Sequence, residues 1–531
     1  MKTVRAFSFF ISLALATASG CNTRSTSTGP APEPSKDPAK AAAPGAAAGS
    51  AGPIYTTSFT PAERRDFYHL PEGGELLPLE LLRNLESIRT FKPFMEDLDR
   101  FRLIADPEDP DGLPVGMSAM LSNGKRAEPR MVFFNCAACH TSEITYQGKV
   151  LRIEGAPGHV DVAGFIGELL SSIDSTLANP QRLAAYVGRM KPQPLPLAEG
   201  KKQLQTALDV TQLLKEKIVY LQRLRGLRPT TTSGYGRLDA FVAARNLLFG
   251  EKYAIDVNSP VSLPPIFGFT RLGWFHFDNN TNSILQRNIG EDLGVGAVAD
   301  LNSGESTVQL RSLVRLEALA AKLTIPKWPE SLLGKLDAAR VPRGGLLYQQ
   351  QCATCHETSV DGKFPDRVVS LAQIGTDPNR SVNFGRPVGA DPFAKVLGAA
   401  LDKVEKKSFE REGVTAAEAA TLEPPQVIWR TTAGYSARPI DGMWATAPYL
   451  HNGSVPTLHD LLLPPAQRPK TFLTGSREFD PKKVGFATDG AAGATFLLDT
   501  SLDGNHNSGH TYGTALSDEE RLDLLEYLKS R

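Results

Sequence analysis

The chain has 531 residues, with 58 basic and 58 acidic side chains and therefore no formal net charge. That balance excludes the basic signature of a nucleic-acid binder. Five cysteines in so long a chain exclude a disulfide-built scaffold, and the length suits two or three domains.

The chain opens on "MKTVRAFSFFISLALATASGC", with Lys2 and Arg5 ahead of an apolar run from Ala6 to Ala18. Residues 1–20 read as an export signal whose apolar part is too short for a membrane span. Cys21 follows Ala-Ser-Gly, an order that resembles a bacterial lipobox with Ala18 where Leu is usual. Two processing outcomes stay open: cleavage before Cys21 with lipid on its thiol, or plain cleavage near Ser19–Cys21. The leftover fifth cysteine favours the lipid. Residues 21–55 are dominated by Pro, Ala, Gly and Ser without apolar period and read as a disordered tether. The expected location is the periplasm or cell envelope, with membrane contact through the lipid anchor alone.

Next comes "FNCAACHTS", with Cys136, Cys139 and His140, and far downstream "QCATCHETS", with Cys352, Cys355 and His356. Four of the five cysteines thus lie in two CxxCH units. Covalent c-type haem demands this order, since each thiol adds to a porphyrin vinyl group and the following imidazole ligates the iron. A zinc site built from both CxxC pairs and a redox dithiol remain as alternatives, though neither needs a histidine directly after the pair. Export agrees with two haem c groups, because such haem is attached outside the cytoplasm.

The folded part divides by expectation into a haem domain at 56–335 and a second at 336–531. Pro326 and Pro329 break a helical run at the boundary. Residues 180–250, with Leu and Val every three to four positions in "KKQLQTALDVTQLLKEKIVYLQRLRGL", read as an inserted helical lobe. Ala338 to Gln351 reads as the helix leading into the second CxxCH. "SDEERLDLLEYLKSR" closes the chain with a capping-box pair, Ser517 and Glu520, and one face of Leu522, Leu525 and Leu528. The fold class expected is mainly α, with two cytochrome c-type haem domains, the first enlarged by the helical insertion and long loops. Of the remaining histidines, His69 reads as a surface residue and His459 as structural.

Several stretches resemble the bacterial di-haem cytochrome c peroxidases and their MauG-like relatives. These are "NSPVSLPPIFGF" (258–269), "WFHFDNNT" (274–281), "TAPYLHNGSVPTLHDLL" (446–462) and "HTYGTALSDEERLDLLEYL" (510–528). Phe277 stands at that family's inter-haem Trp, with Trp274 three residues earlier, and Asn279-Asn280 replace its Gly-Arg. Gln286 and Glu291 lie near, but out of register with, the peroxidases' distal Gln and Glu. The stretch "NTNSILQRNIGEDLGVGA" and a histidine in the last motif look more like the di-haem rubber oxygenases of the same superfamily.

The resemblance implies a reaction centre at the first haem, on His140, and an electron-transfer role for the second, on His356, with His510 as its distal iron ligand. His451, His506 and Met443 are the rivals of His510. His159, nineteen residues after His140, matches the position of a removable distal histidine. The resemblance also places Trp274, His276, Phe277 and Glu291 among the catalytic candidates, while aromatic residues so spaced equally suit a core. Asn258, Thr446 and Pro448 match positions that hold calcium between the peroxidase domains; a plain turn is the alternative. The expected function is an exported di-haem oxidoreductase acting on O2 or peroxide, with a redox protein as partner. An electron carrier with both irons saturated, a rubber oxygenase-like dioxygenase and a MauG-like protein oxidase are the alternatives.

Overall fold

A computed structural model describes residues 52–121, 130–189, 230–357 and 361–531. The export signal, Cys21 and most of the tether lie outside these residues, as does the 190–229 stretch of the inserted lobe. At the end of the tether, Ile54–Tyr55 form a parallel strand pair with Leu151 and Arg152.

Short strands frame the first CxxCH. Arg130–Phe134 lies between Leu77–Pro78 and Met117–Leu121 in one antiparallel sheet, and it runs straight into the Cys136–Cys139 turn. Thr141–Tyr146 then leaves the motif and pairs with Lys149–Glu154. The run "RMVFF" suits this place, since aromatic and β-branched side chains pack well on a pleated surface. Asn135 caps the turn, accepting from the Ala137 amide at 3.0 Å while its own amide donates to Phe67 and Leu70 carbonyls. Gly116 makes the approach feasible: a β-carbon there would fall 1.9 Å from the Ala138 nitrogen.

The second CxxCH is led by a helix, Arg340–Gln351. The terminal helix, Asp518–Lys529, packs across it and begins with the reciprocal Ser517–Glu520 capping box. Gly344 lies at the crossing, where a β-carbon would meet the Asp523 carbonyl oxygen at 2.0 Å. Arg340 and Arg343 both reach the Asp523 carboxylate, and Tyr348 packs on Tyr527 at 5.2 Å between ring centres. The buried face of the terminal helix is Leu524, Leu525 and Leu528. Leu522 corrects the expected face: it points outward, because the face that meets residue 344 also carries Asp523 and Tyr527.

Three apolar clusters fill the described residues. One gathers Phe94, Phe101, Phe134 and Phe165 beside the first sheet. Another joins Leu285, Ile289, Leu313, Phe384, Phe393 and Leu401. The largest contains Phe67, Ile144, Trp328, Tyr348, Trp444 and Leu525, so apolar packing is shared across the residue-335 boundary.

Candidate functional site

Both CxxCH histidines are prepared in the same way. His140 Nδ1 lies 2.9 Å from the Pro264 carbonyl, and His356 Nδ1 lies 2.6 Å from the Arg438 carbonyl. Such a bond fixes the tautomer and leaves Nε2 for a metal. Burial holds both rings neutral, the state a ligand requires: His140 is pushed down to about 3 and His356 below its ordinary value. Burial also pushes the Cys136 thiol far up and Cys139 to about 12, so neither has the thiolate character of a redox dithiol. Among the described residues, which include all four CxxCH cysteines, no cluster of three or more Cys, His, Asp or Glu is arranged to hold a metal ion. The two CxxC pairs are thus not gathered into one four-cysteine cluster.

Opposite His356 stands His510, with ring centres 6.3 Å apart. Two imidazoles bound to opposite faces of one metal ion have centres about 6.2 Å apart, from metal–nitrogen bonds of about 2.0 Å and ring centres about 1.1 Å beyond each nitrogen. The loop carrying His510 is held firmly. Its amide donates to the Ile374 carbonyl at 2.8 Å, and Arg468 donates to the carbonyls of Asn507, Gly509 and His510. Gly509 has a φ of +69°, and a β-carbon there would lie 2.2 Å from the Gly375 carbonyl carbon, so only glycine fits. Burial, followed by the charge of His356, pushes His510 down to about 4, and its Nδ1 is buried without a partner.

Neither histidine rival packs on the His356 ring. His506 pairs with Asp377 through Nδ1 at 2.8 Å. His451 stacks on Tyr435 with centres 4.0 Å apart.

The first motif meets different neighbours. Glu72 accepts from the Cys136 amide at 2.9 Å and from its thiol at 2.6 Å. Burial raises Glu72 to about 7 against the lowering effect of those two bonds. Arg287 and Glu291, one turn apart on the Ile284–Val295 helix, form an ion pair at 2.6 Å. Their charges reach Cys136, Cys139 and Glu72, and the Arg287 charge adds to burial in lowering His140.

Glu291 thus lies by the first motif. His276 shares Arg287 with His140 and packs on Phe241 at 4.5 Å and Trp429 at 5.9 Å. Its backbone has a φ of +68°, its Nδ1 is buried without a partner, and its carbonyl accepts from Arg438. Trp274 lies beneath the Arg430 guanidinium at 3.4 Å and its carbonyl faces Arg438. The 274–276 stretch is therefore tied to the residue whose carbonyl holds His356. Phe277 lies edge-on to His451 at 6.3 Å. Gln286 is committed to Glu405 and Trp429.

His159 follows a loop tied to the motif's own backbone, with Gly155 donating to the His140 carbonyl and Gly158 to that of Cys139. Its ring packs on Phe486 at 4.1 Å beside a cavity of about 30 Å³, and both ring nitrogens lack partners. Asn258 gives its amide to Asp503 and receives at its oxygens from Asn379 and Asn383. Thr446 donates to Met443, and Pro448 lines the His159 cavity. His69, expected on the surface, is instead wedged between the Met117 carbonyl and Asp106 at 2.8 and 2.9 Å. The residues that sequence reasoning missed are Glu72, Arg287 and Arg438. Arg287 alone carried a signal, its i, i+4 spacing to Glu291.

A pattern described as RoxA-like, cytochrome c-like matches residues 434–473, which run past the His356-holding carbonyl and through His451. Together with the CxxCH geometry this defines a cytochrome c-type protein that binds haem c covalently. The chain belongs to the family of the uncharacterized protein y4iJ of Sinorhizobium fredii. It is 30% identical to that protein over 564 aligned positions, covering 89% of this chain and 92% of that one. The uncharacterized protein y4iM of the same organism is 32% identical over 221 positions, 37% of this chain and 49% of that protein.

Proposed function

We propose that the chain is an exported di-haem oxidoreductase of two cytochrome c-type haem domains, in which the second haem carries electrons and the first meets O2 or peroxide. The observation that carries this reading is the 6.3 Å spacing of His356 and His510. Two neutral imidazoles so placed saturate an iron, and a saturated haem exchanges electrons without binding substrate. When bound, haem c supplies the one-electron and oxygen chemistry.

The chain's own groups then divide the work. His140, held by the Pro264 carbonyl, is the proximal ligand of the first haem. Arg287 offers a fixed positive charge for a developing anion, steadied by Glu291. Glu72, whose pKa burial raises, keeps a proton that it can give to a reacting group. Arg438 ties the His276 and Trp274 backbone to the second haem's ligand and so sets the spacing of the two centres. Export fits the signal at 1–20, and among the described residues no helix is long and apolar enough to cross a membrane.

Optical and EPR spectra of the purified protein test the reading. One low-spin ferric haem and one that shifts with CO or cyanide are expected; two ligand-inert low-spin haems would overturn it. In that event His159 and His276, each buried with an unpartnered ring nitrogen, are the candidates to supply the extra imidazole, and the matching Ala variant would open the first haem. Assays with polyisoprene, and with peroxide plus reduced cytochrome, then separate a dioxygenase from a peroxidase or a MauG-like oxidase.

A further inference from the structure

Arg237 is 1% exposed, yet among the described residues its guanidinium makes one hydrogen bond, from Nη2 to the amide oxygen of Asn505. Its Nε and Nη1 are buried without partners. A buried guanidinium left in this state is strongly disfavoured unless an anion completes it. Asp377, whose charge favours the Arg237 cation, is already bonded to the His506 amide and ring.

Unmet donors gather around the same spot. Ser262 faces Arg237 across a two-residue ladder, and its hydroxyl is buried and unpartnered. A β-carbon on Gly453 would meet both the Ser262 hydroxyl and the Arg237 side chain, so glycine keeps this space open. Arg380, paired through Nη2 with Asp278 and Asn280, leaves Nη1 unpartnered. Burial, followed by the charges of Arg380 and Arg237, pushes His451 down to about 3.

The place in the fold points to the second haem. Asn505 belongs to the loop that carries His510, and that loop is clamped by Asn452 and Ser454 beside His451. Tyr435, stacked on His451, comes three residues before Arg438 and feels the Arg380 charge.

We propose that Arg237 and the Ser262 hydroxyl seat a propionate carboxylate of the second haem, with Arg380 supporting it. This rests on the reading of the His356–His510 pair as a haem site. A paired arginine disperses propionate charge and favours the electron-rich ferrous state, so removing it lowers that haem's potential.

Spectropotentiometry of the haem-loaded protein tests this, with haem staining as a check on loading. Arg237→Gln should lower the midpoint potential of the second haem and move that of the first by less. Arg237→Lys should restore most of the loss, since a charge remains where the bidentate fork does not. Should Arg237→Gln fail to fold, Ser262→Ala gives the same, smaller, downward shift. Unchanged potentials in a fully loaded variant, or a shift confined to the first haem, would overturn the proposal. A wild-type potential that follows added phosphate would assign the arginine to a free anion and also overturn it. Absence of a second stained haem in the wild-type protein would instead strike the underlying di-haem reading.

Discussion

The two CxxCH segments share an order of groups but not a setting. The first is buried between strands, with Glu72 on its leading cysteine and the Arg287–Glu291 pair nearby. The second is half-buried, introduced by a helix, and its histidine faces His510. The motif fixes attachment and one ligand. Under the proposed reading, the group that stands opposite each motif histidine decides whether its iron is closed or reactive.

The largest effect should come from the cysteines. Replacing Cys136 and Cys139, or Cys352 and Cys355, with Ala should each remove one covalent haem from stained, denatured protein; two haems retained in either would dissolve the comparison. His510→Gly should keep both haems but open the second to CO or exogenous imidazole, and His510→Met should raise its potential, because thioether favours ferrous iron. An unaltered low-spin signal in His510→Gly would send the assignment back to His506 or His451.

Two glycines allow each setting to be broken separately. Gly116 has a φ of +83° and no room before Ala138, so Gly116→Ala combines backbone strain with a clash. A cost of about 2–4 kcal/mol and poor loading of the first haem are expected. Gly344→Ala forces the terminal helix away from the haem-leading helix, costing about 1–3 kcal/mol, with the second haem's spectrum perturbed and the first unchanged. Denaturant unfolding and haem quantification read both.

The last effect depends on pH. Burial lifts Glu72 from 4.5 to about 7, so the folded state binds a proton that the unfolded state releases. Stability falls as pH rises from about 4.5 to about 7, by up to about 3 kcal/mol, and stays reduced above that range. Thioether formation removes the thiol bond that lowers Glu72, which moves the window upward. Glu72→Gln should therefore be more stable than wild type at pH 8, with the advantage vanishing by pH 4.5. A constant difference at both pH values would show that Glu72 is ionised throughout.

Local signals were the legible ones. Both CxxCH units, the capping box at Ser517 and Glu520, and the helix before Cys352 can be read from neighbours in sequence and appear as such in the fold. The strands around Cys136 escaped because short runs such as "RMVFF" carry no long period. His69 looked exposed, since nothing local announces Asp106 beside it. The buried arginines were the least legible. Arg237, Arg380 and Arg438 look like surface charge in a sequence, and only long-range packing beside Asn505, Asp278 and His276 makes them interior. Leu522 was misplaced by helical spacing alone, because three leucines at matching intervals do not say which side the partner helix takes.

The facing of His356 and His510 also bears on the chain's entropy. An iron held by both rings ties residue 356 to residue 510, closing a loop of roughly 150 residues, which in the chain-entropy account of a cross-link lowers the freedom of the unfolded state by about 5 kcal/mol at room temperature. The terminal helix lies just beyond that tie, and the haem-leading helix just before it. Such a metal bond would act as a reversible staple on the C-terminal half, and a ligand strong enough to displace His510 would loosen the fold as well as change the colour of the haem.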